Sequence, residues 1–529
     1  MLSAVNHAIN VIKRYKIHIL LFLLASFVYL PMKYTIEGWD QYQYFFGAKS
    51  ILMNHVYLVD NKPPPYPMMC SLLIAPFLYF FGITDQSAVY PCAILGALTV
   101  VVLYAFTKYL TNMRAALFAS IFFTFSLHWL LSTTIRSDVP ALFFILLGIF
   151  SGVKYIDTEK RFFIYFFYIA AGFACLFRYP SALIFVIMFL YILLSKNYRV
   201  FKNKDVWLGL LVFFVVMSPQ LIYNHIYFGS AFTTGYGFSS APAYGASHFT
   251  TPKLPLMLLT QNIGLIIFGF GTAIFPFFVY GMWDLFKKGN HDKRWLIISW
   301  IAVPFFIFSF YFYYDGRLLY PVLPALLITA GHGFSRMCTK IGVDSADNNG
   351  SNLAIKKAFV ILIVIVLLVT TAFFGFNNIQ KRTDKGELMI NTSVWIRENT
   401  NESDIILSDT WNILVREYYA QRKIYSLTLS HDELKELIST GKDVYLVINE
   451  EVKQLAQMGL YNQKSITDMS DTIQWLNETF GLIPLKTFEI DSSNQPWTSK
   501  IIYSIGTKTK VLVPYKERRD VYLVKKGEI

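Results

Sequence analysis

PMMCSLLIAPFLYFFG occupies residues 67–82, and the topology of the whole chain turns on whether this stretch crosses a bilayer. It is apolar throughout but only 16 residues long. A spanning helix needs about 20 apolar residues to cover ~30 Å of hydrocarbon, so this run sits at or below the lower limit. The surrounding sequence makes the question real. The chain has 529 residues, 55% of them hydrophobic and only 15% charged, with a mean hydropathy of +0.44. Soluble domains carry about a quarter charged residues. Apolar runs long enough to cross a membrane recur along most of the chain, so it reads as a polytopic α-helical membrane protein.

Charge decides the topology. About eleven transmembrane helices are expected, near 17–35, 88–107, 115–132, 138–155, 162–177, 180–195, 206–223, 261–282, 295–313, 318–335 and 358–376. With these, KRYK, KYLTNMR, KNYRVFKNK, KKGNHDKR and Lys356 with Lys357 fall on the cytoplasmic side. The other side keeps Lys33, Lys49, Lys62, Arg136, Arg178, Lys253 and Arg317. That bias is the positive-inside signal and puts the N-terminus in the cytoplasm. Counting residues 67–82 as a span would turn every later loop over and expose most of the basic segments. The stretch therefore reads as a re-entrant or interfacial helix within a long external loop, 36–87. The net charge of +13 is then explained by cytoplasmic loops and calls for no nucleic acid.

The first apolar run follows KRYK and is succeeded by PMKYTIEGWD, with no small-residue cleavage site, so it reads as a retained span in a plasma (cytoplasmic) membrane protein. The four cysteines, Cys70, Cys92, Cys175 and Cys338, have no metal-ligand spacing. An odd number of spans leaves residues 377–529 outside. There, helix LMINTSVWIRENT, strand DIILSD, helix NILVREYYAQ, strand KIYSL, helix HDELKELIST and strands DVYLVIN and VYLVKK predict a small extracytoplasmic α/β domain. Triplets for N-glycosylation at Asn391, Asn401 and Asn477 fit an exterior position, although such triplets are common by chance. The external loop 224–260, rich in Gly, Ser, Thr and aromatics, reads equally as a functional lid or a linker. The expected domains are thus a transmembrane domain, 1–376, and an external domain, 377–529.

Polar residues gather on one side. TIEGWDQYQYFFGAKS, residues 35–50, places Glu37 and Asp40 just after the first span, and Asp40, Tyr44 and Ala48 follow helical spacing. Lys62 lies in the same loop. Arg136 and Asp138 stand in IRSDVPALFF, Arg178 in CLFRYPSAL, and Asp315 and Arg317 in YYDGRLLYPVLP. Charges at one membrane depth need partners or a water-filled cavity, and they mark functional sites. The bland reading of each alone is snorkelling or a local pair, Arg136 with Asp138 or Asp315 with Arg317. As a set they suit a lipid-linked phosphate. Arginine binds phosphate through two parallel hydrogen bonds and lysine as a point charge. A carboxylate would serve as general base toward an acceptor hydroxyl. A phosphate leaving group needs charge stabilisation more than a strong acid. One base with a cationic pocket therefore suffices for inverting sugar transfer.

The same residues carry a resemblance. DQYQYFFGA, NKPPPYPMMCSLLIAPFLYFFG, AVYPCAILGALTVVVLYAFTKYL, RSDVPALFF, FRYPSAL and GRLLYPVLPALLITAG together resemble the GT-C glycosyltransferases. The closest group is the dolichyl-phosphate-mannose–protein mannosyltransferase-like superfamily that includes the lipid A aminoarabinose transferases. The resemblance covers roughly the first 340 residues. It implies transfer of a sugar from a polyprenyl (dolichyl or undecaprenyl) phosphate donor to a glycan, lipid or protein acceptor on the external face. By it Asp40 matches the catalytic acid, with Glu37 and Asp138 as possible second acids. Arg178 matches the cation on the phosphate side, joined by Arg317, Arg136 and Lys62. No cofactor is implied with certainty. A divalent metal stays open, although no D-x-D occurs in the external loops and His55, His225 and His248 form no ligand set. His128 in SLHWLLS reads as packed among aromatics. The rival class is a transporter or flippase of lipid-linked sugars, which would want polar residues at the bilayer midplane and matching broken helices.

Overall fold

The computed structural model describes residues 2–235, 274–288, 291–310, 316–342, 350–408, 413–427, 429–449, 463–490 and 517–525. Asp315, His248 and most of the loop 224–260 lie outside these residues. The chain divides into two compact units, Met1–Lys33 with Gln43–Asn378 and Tyr34–Tyr42 with Ile379–Ile529.

The first unit is helical. It is built from α1 (Leu2–Tyr29), α2 (Trp39–Asn54), α3 (Met69–Phe81), α4 (Asp85–Leu110), α5 (Met113–Thr124), α6 (Leu127–Ser132), α7 (Asp138–Thr158), α8 (Arg161–Phe177), α9 (Leu183–Leu194), α10 (Lys204–Phe228), α11 (Phe275–Lys288), α12 (His291–Ser309), α13 (Leu323–Ile341) and the start of α14 (Gly350–Asn399). α2 begins with its first residues in the other unit. Among the described residues, five helical stretches are long and apolar enough to cross a membrane: Asp85–Leu110, Asp138–Thr158, Lys204–Phe228, Arg317–Ile341 and Ala354–Asn399.

The deciding stretch forms α3, of 13 residues, or ~20 Å at 1.5 Å per residue. It buries Cys70, Ser71, Ile74, Ala75 and Leu78 on one face and leaves Leu72, Tyr79, Phe80 and Phe81 exposed. The run expected as a single span over 115–132 is two helices. α5 ends at Phe125, and the Ser126 side chain caps α6 by accepting from the His128 amide. A hydroxyl able to cap a new helix is the local reason for the break.

Close backbone contacts hold α13 in the middle of its neighbours. A Cβ on Gly333 would lie 2.1 Å from the Phe277 carbonyl oxygen of α11, and one on Gly331 would lie 2.4 Å from that of Ala115 in α5. Small residues at such crossings let helix axes approach where hydrophobicity gives no drive for association.

The second unit holds a five-stranded sheet in the order β2-β1-β3-β5-β4. The strands are β1 (Ile405–Ser408), β2 (Ile424–Ser426), β3 (Val444–Asn449), β4 (Leu482–Ile490) and β5 (Glu517–Val524). β1 pairs in parallel with β2 and β3, while β5 runs antiparallel to β3 and β4. The helices of this unit are α15 (Ile413–Ala420), α16 (His431–Ser439) and α17 (Gln463–Thr479). Ile405 and Leu407 face Leu434, Ile438 and Leu476, whereas Ile406 faces Ile396 and Ala420. Both faces of β1 are covered, which is why DIILSD reads as a continuous apolar run. LMINTSVWIRENT is not a separate helix; it is the end of α14, which runs unbroken for 50 residues.

Candidate active site

The turn between α8 and α9 is set by FRYPSAL. Arg178 is extended, at φ −157° and ψ 115°, and closes α8 through its amide on the Ala174 carbonyl. Pro180 stands at the start of the 3-10 turn Tyr179–Ala182, where its missing amide costs no hydrogen bond. The Arg178 side chain comes out of this turn onto Asp138, at the first position of α7, and the two form an ion pair. Asp138 is buried, its side chain 3% exposed, while that of Arg178 is 21% exposed. The helix N-terminus favours a carboxylate at that place. So Asp138 pairs with Arg178, across the helix pair, and not with its sequence neighbour Arg136 in the manner of a local pair.

This ion pair lines a cleft. Arg317 and Tyr320 enter it from the 3-10 turn Gly316–Val322, and its wall is apolar, with Ile145, Ile184, Ile187 and Phe308. Two arginines among the otherwise largely apolar lining of a cleft can bind an anion attached to an apolar chain.

The surrounding loops hold this turn in place. Tyr179 donates to the Asn224 side chain at 3.5 Å, Gln220 donates to Asn224 at 2.8 Å, and Gln220 accepts from the Met68 amide at 2.9 Å. The proline-rich approach to α3 is thereby tied to the Arg178 turn. α2 is anchored nearby. Tyr44, buried, donates to Ser137 Oγ at 2.9 Å and accepts at its carbonyl from Ser71. Ser137 lies between Arg136 and Asp138. Arg136 is half-buried, and its carbonyl accepts from Cys92 Sγ at 3.6 Å.

Lys62 does not line the cleft. It is exposed and closes a tight hairpin with Val59, whose turn residues Asp60 and Asn61 both have positive φ. Asp and Asn tolerate that conformation best after glycine.

In the second unit, Glu37 stands 3.9 Å from Arg382 Nε, a long contact between largely buried groups. A Cβ on Gly386 would meet Thr35 Oγ1 at 2.2 Å, so α14 needs a glycine to pass this segment. Gln41 Oε1 accepts from the Glu37 and Gly38 amides at 2.8 and 3.0 Å, which satisfies free donors at the start of α2. Asp40 lies in the first turn of α2, half-buried, four residues before Tyr44 on the same helix. Among the described residues, no group of three His, Cys, Asp or Glu is arranged to hold a metal ion.

Superposed on solved structures, 97% of the chain matches 98% of ArnT from Cupriavidus metallidurans in its apo state, with a TM-score of 0.65 at 13% identity. The chain has the GT-C glycosyltransferase fold. A second structure of that ArnT, bound to undecaprenyl phosphate, matches this GT-C chain over the same shares with a TM-score of 0.62 and 14% identity. The archaeal oligosaccharyltransferase AglB from Archaeoglobus fulgidus, in complex with an inhibitory peptide and a dolichol-phosphate, matches 89% of the GT-C chain and 73% of its own length. Its TM-score is 0.59 at 12% identity. Residues 64–223 match the sequence model of the family described as dolichyl-phosphate-mannose-protein mannosyltransferase. No curated protein matches the GT-C chain in sequence.

Two residues of the GT-C chain that bear on the cleft carry no functional signal in the sequence: Tyr320 is not singled out there, and His128 reads only as packed among aromatics. Tyr320, 1% exposed, lines it and hydrogen-bonds to His128 behind it. His128 does pack among aromatics as expected, stacked on Phe123 at 4.0 Å with Tyr29 edge-on. Its polar partner lies 192 positions away in sequence, beyond the reach of any local pattern.

Proposed function

We propose that this chain is a polyprenyl-phosphate-sugar-dependent glycosyltransferase of the multi-pass plasma membrane. It moves a sugar to a hydroxyl of a glycan, lipid or protein acceptor on the external face. The observation that carries this reading is the cleft itself, which is lined by Arg178 and Arg317 together with Ile145, Ile184, Ile187 and Phe308. A polyprenyl phosphate has the complementary chemistry, an anion on a long apolar chain. The ArnT relative in complex with undecaprenyl phosphate supports the same ligand class.

In this reading, Asp40 takes the proton of the acceptor hydroxyl as its oxygen attacks the anomeric carbon. The bond from that carbon to the phosphate oxygen breaks, and the phosphate leaves with the electron pair. Attack from the opposite face inverts the centre. Arg178 and Arg317 stabilise the charge that grows on the leaving phosphate, a role that gains strength in a water-poor cleft. Asp138 holds the Arg178 guanidinium. Arg136 and Lys62 add positive potential on the donor side, and Glu37 fixes the segment that carries Asp40. Residues 1–376 form the transferase domain, and 377–529 form an extracytoplasmic domain.

Titration of the purified protein with undecaprenyl phosphate tests the reading. Arg178→Ala is expected to weaken binding by about tenfold, as loss of a charge-assisted hydrogen-bond pair would. Equal affinity in wild type and Arg178→Ala would remove the cleft from the mechanism.

A further inference from the structure

Arg317 sits on a turn that has little reason to hold one orientation by itself. Gly316–Val322 is a 3-10 helix of seven residues, and 3-10 hydrogen bonds are poorer than α-helical ones. It begins with glycine and contains Pro321, which has no amide to donate. Side chains three residues apart eclipse on a 3-10 helix, so Arg317 and Tyr320 share one face. Both line the cleft.

Tyr320 is clamped from behind. His128 Nε2 lies 2.9 Å from the Gly96 carbonyl oxygen, which can only accept. Nε2 must therefore carry the proton, and Nδ1 presents a lone pair. The Tyr320 hydroxyl is the nearest group at Nδ1, with Ser132 Oγ farther away at 3.5 Å, so Tyr320 donates and its ring orientation is set. A chain of hydrogen bonds then runs from the backbone of α4, through α6, to the 3-10 turn. The histidine ring has no freedom to swing away. Phe123 stacks on it with ring planes 16° apart, and it is fully buried. α4 and α6 approach closely because residue 96 is glycine; a Cβ there would meet Ser132 Oγ at 2.3 Å. On the other flank, Trp300 donates to the Pro321 carbonyl at 2.9 Å.

We infer that His128 and Tyr320 are positioning residues: the Gly96–His128–Tyr320 relay fixes the 3-10 turn so that Arg317 points at the phosphate of the lipid donor. Neither residue touches the phosphate in this account. The inference rests on the reading of the cleft as a lipid-phosphate site. It assigns a positioning role to two buried residues that would otherwise be ordinary core.

A double-mutant cycle tests it, with undecaprenyl phosphate as the probe and the full chain in detergent. Tyr320→Phe keeps the ring and removes only the hydroxyl. It is expected to weaken binding about tenfold, and Arg317→Ala at least as much. The double variant should bind no more weakly than Arg317→Ala alone, because Tyr320 acts through Arg317. A generally loosened core would instead give losses that add. Additive losses, or full affinity in Tyr320→Phe, would overturn the inference while leaving the cleft reading intact. Full affinity in Arg317→Ala would overturn both. Should Tyr320→Phe fail to fold by thermal unfolding, His128→Gln, which keeps a donor toward Gly96 and loses the acceptor at Nδ1, completes the same cycle with the same expected result.

Discussion

Asp138 and Asp40 are both carboxylates in the first turn of a helix, yet they have different work. Asp138 is buried against Arg178, so neutralising it strands a guanidinium. Breaking one half of a largely buried pair costs on the order of 3 kcal/mol. Asp138→Asn should therefore lower the thermal unfolding temperature clearly, and an unchanged midpoint would contradict the pairing. Asp40 is half-buried and is proposed as the base. Asp40→Asn should keep the midpoint and undecaprenyl phosphate binding while transfer falls by about 100-fold or more, the scale of general base catalysis. Both residues were named from the sequence as acids beside the outer membrane face. The partner of Asp138 was not legible there, because Arg136 is nearer in sequence and Arg178 nearer in space.

At the scale of elements, the packing of α13 and the capping of α16 make separate claims. Gly333 leaves no room for a side chain against the Phe277 carbonyl. Gly333→Ala should push α11 and α13 apart and cost roughly 1–3 kcal/mol, read as a lower unfolding midpoint; an unchanged midpoint would show that the helices give way freely. In the second unit, Ser430 and Glu433 form a reciprocal capping box at the start of α16. The hydrogen bonds from Ser430 hold the Glu433 carboxyl below the usual glutamate range. A depressed pKa means that the charged form stabilises the folded helix. That contribution is present above the ordinary glutamate pKa and is lost as pH falls through the lowered one. Hydrogen exchange at the α16 amides should therefore quicken relative to the rest of the unit in acid, and Ser430→Ala should quicken it already at neutral pH. Exchange insensitive to both would refute the cap. Helices and strands of this kind were largely readable from apolar periodicity and turn residues. The break between α5 and α6 was not, since Phe125 and Ser126 interrupt no hydrophobic run. Nor was the continuity of α14, whose polar second half looks like a new element.

For the whole molecule, composition and charge bias carried the fold class, because twenty-residue apolar runs and lysine-rich loops are properties of the chain itself. The reading of α3 as non-spanning rests on its short length together with the charge bias of the later loops, since length alone leaves it at the limit. The assignment of Tyr34–Tyr42 to the unit that holds the sheet had no sequence signal, since it depends on contacts such as the Ile36 amide with Tyr419, nearly four hundred positions apart. The cleft was half legible. Arg178 and Arg317 stood out as cations on the sparsely charged side, whereas Tyr320 and His128 looked like core aromatics. The central claim, sugar transfer from a polyprenyl phosphate with Asp40 as base, is tested most directly by mass spectrometry of surface glycans and lipids. Cells making the wild-type chain, cells making Asp40→Asn and cells lacking the protein would be compared. The account predicts one added hexose-sized or modified-sugar unit in the first alone. The same sugar unit in the Asp40→Asn cells, or no difference among the three, would contradict it.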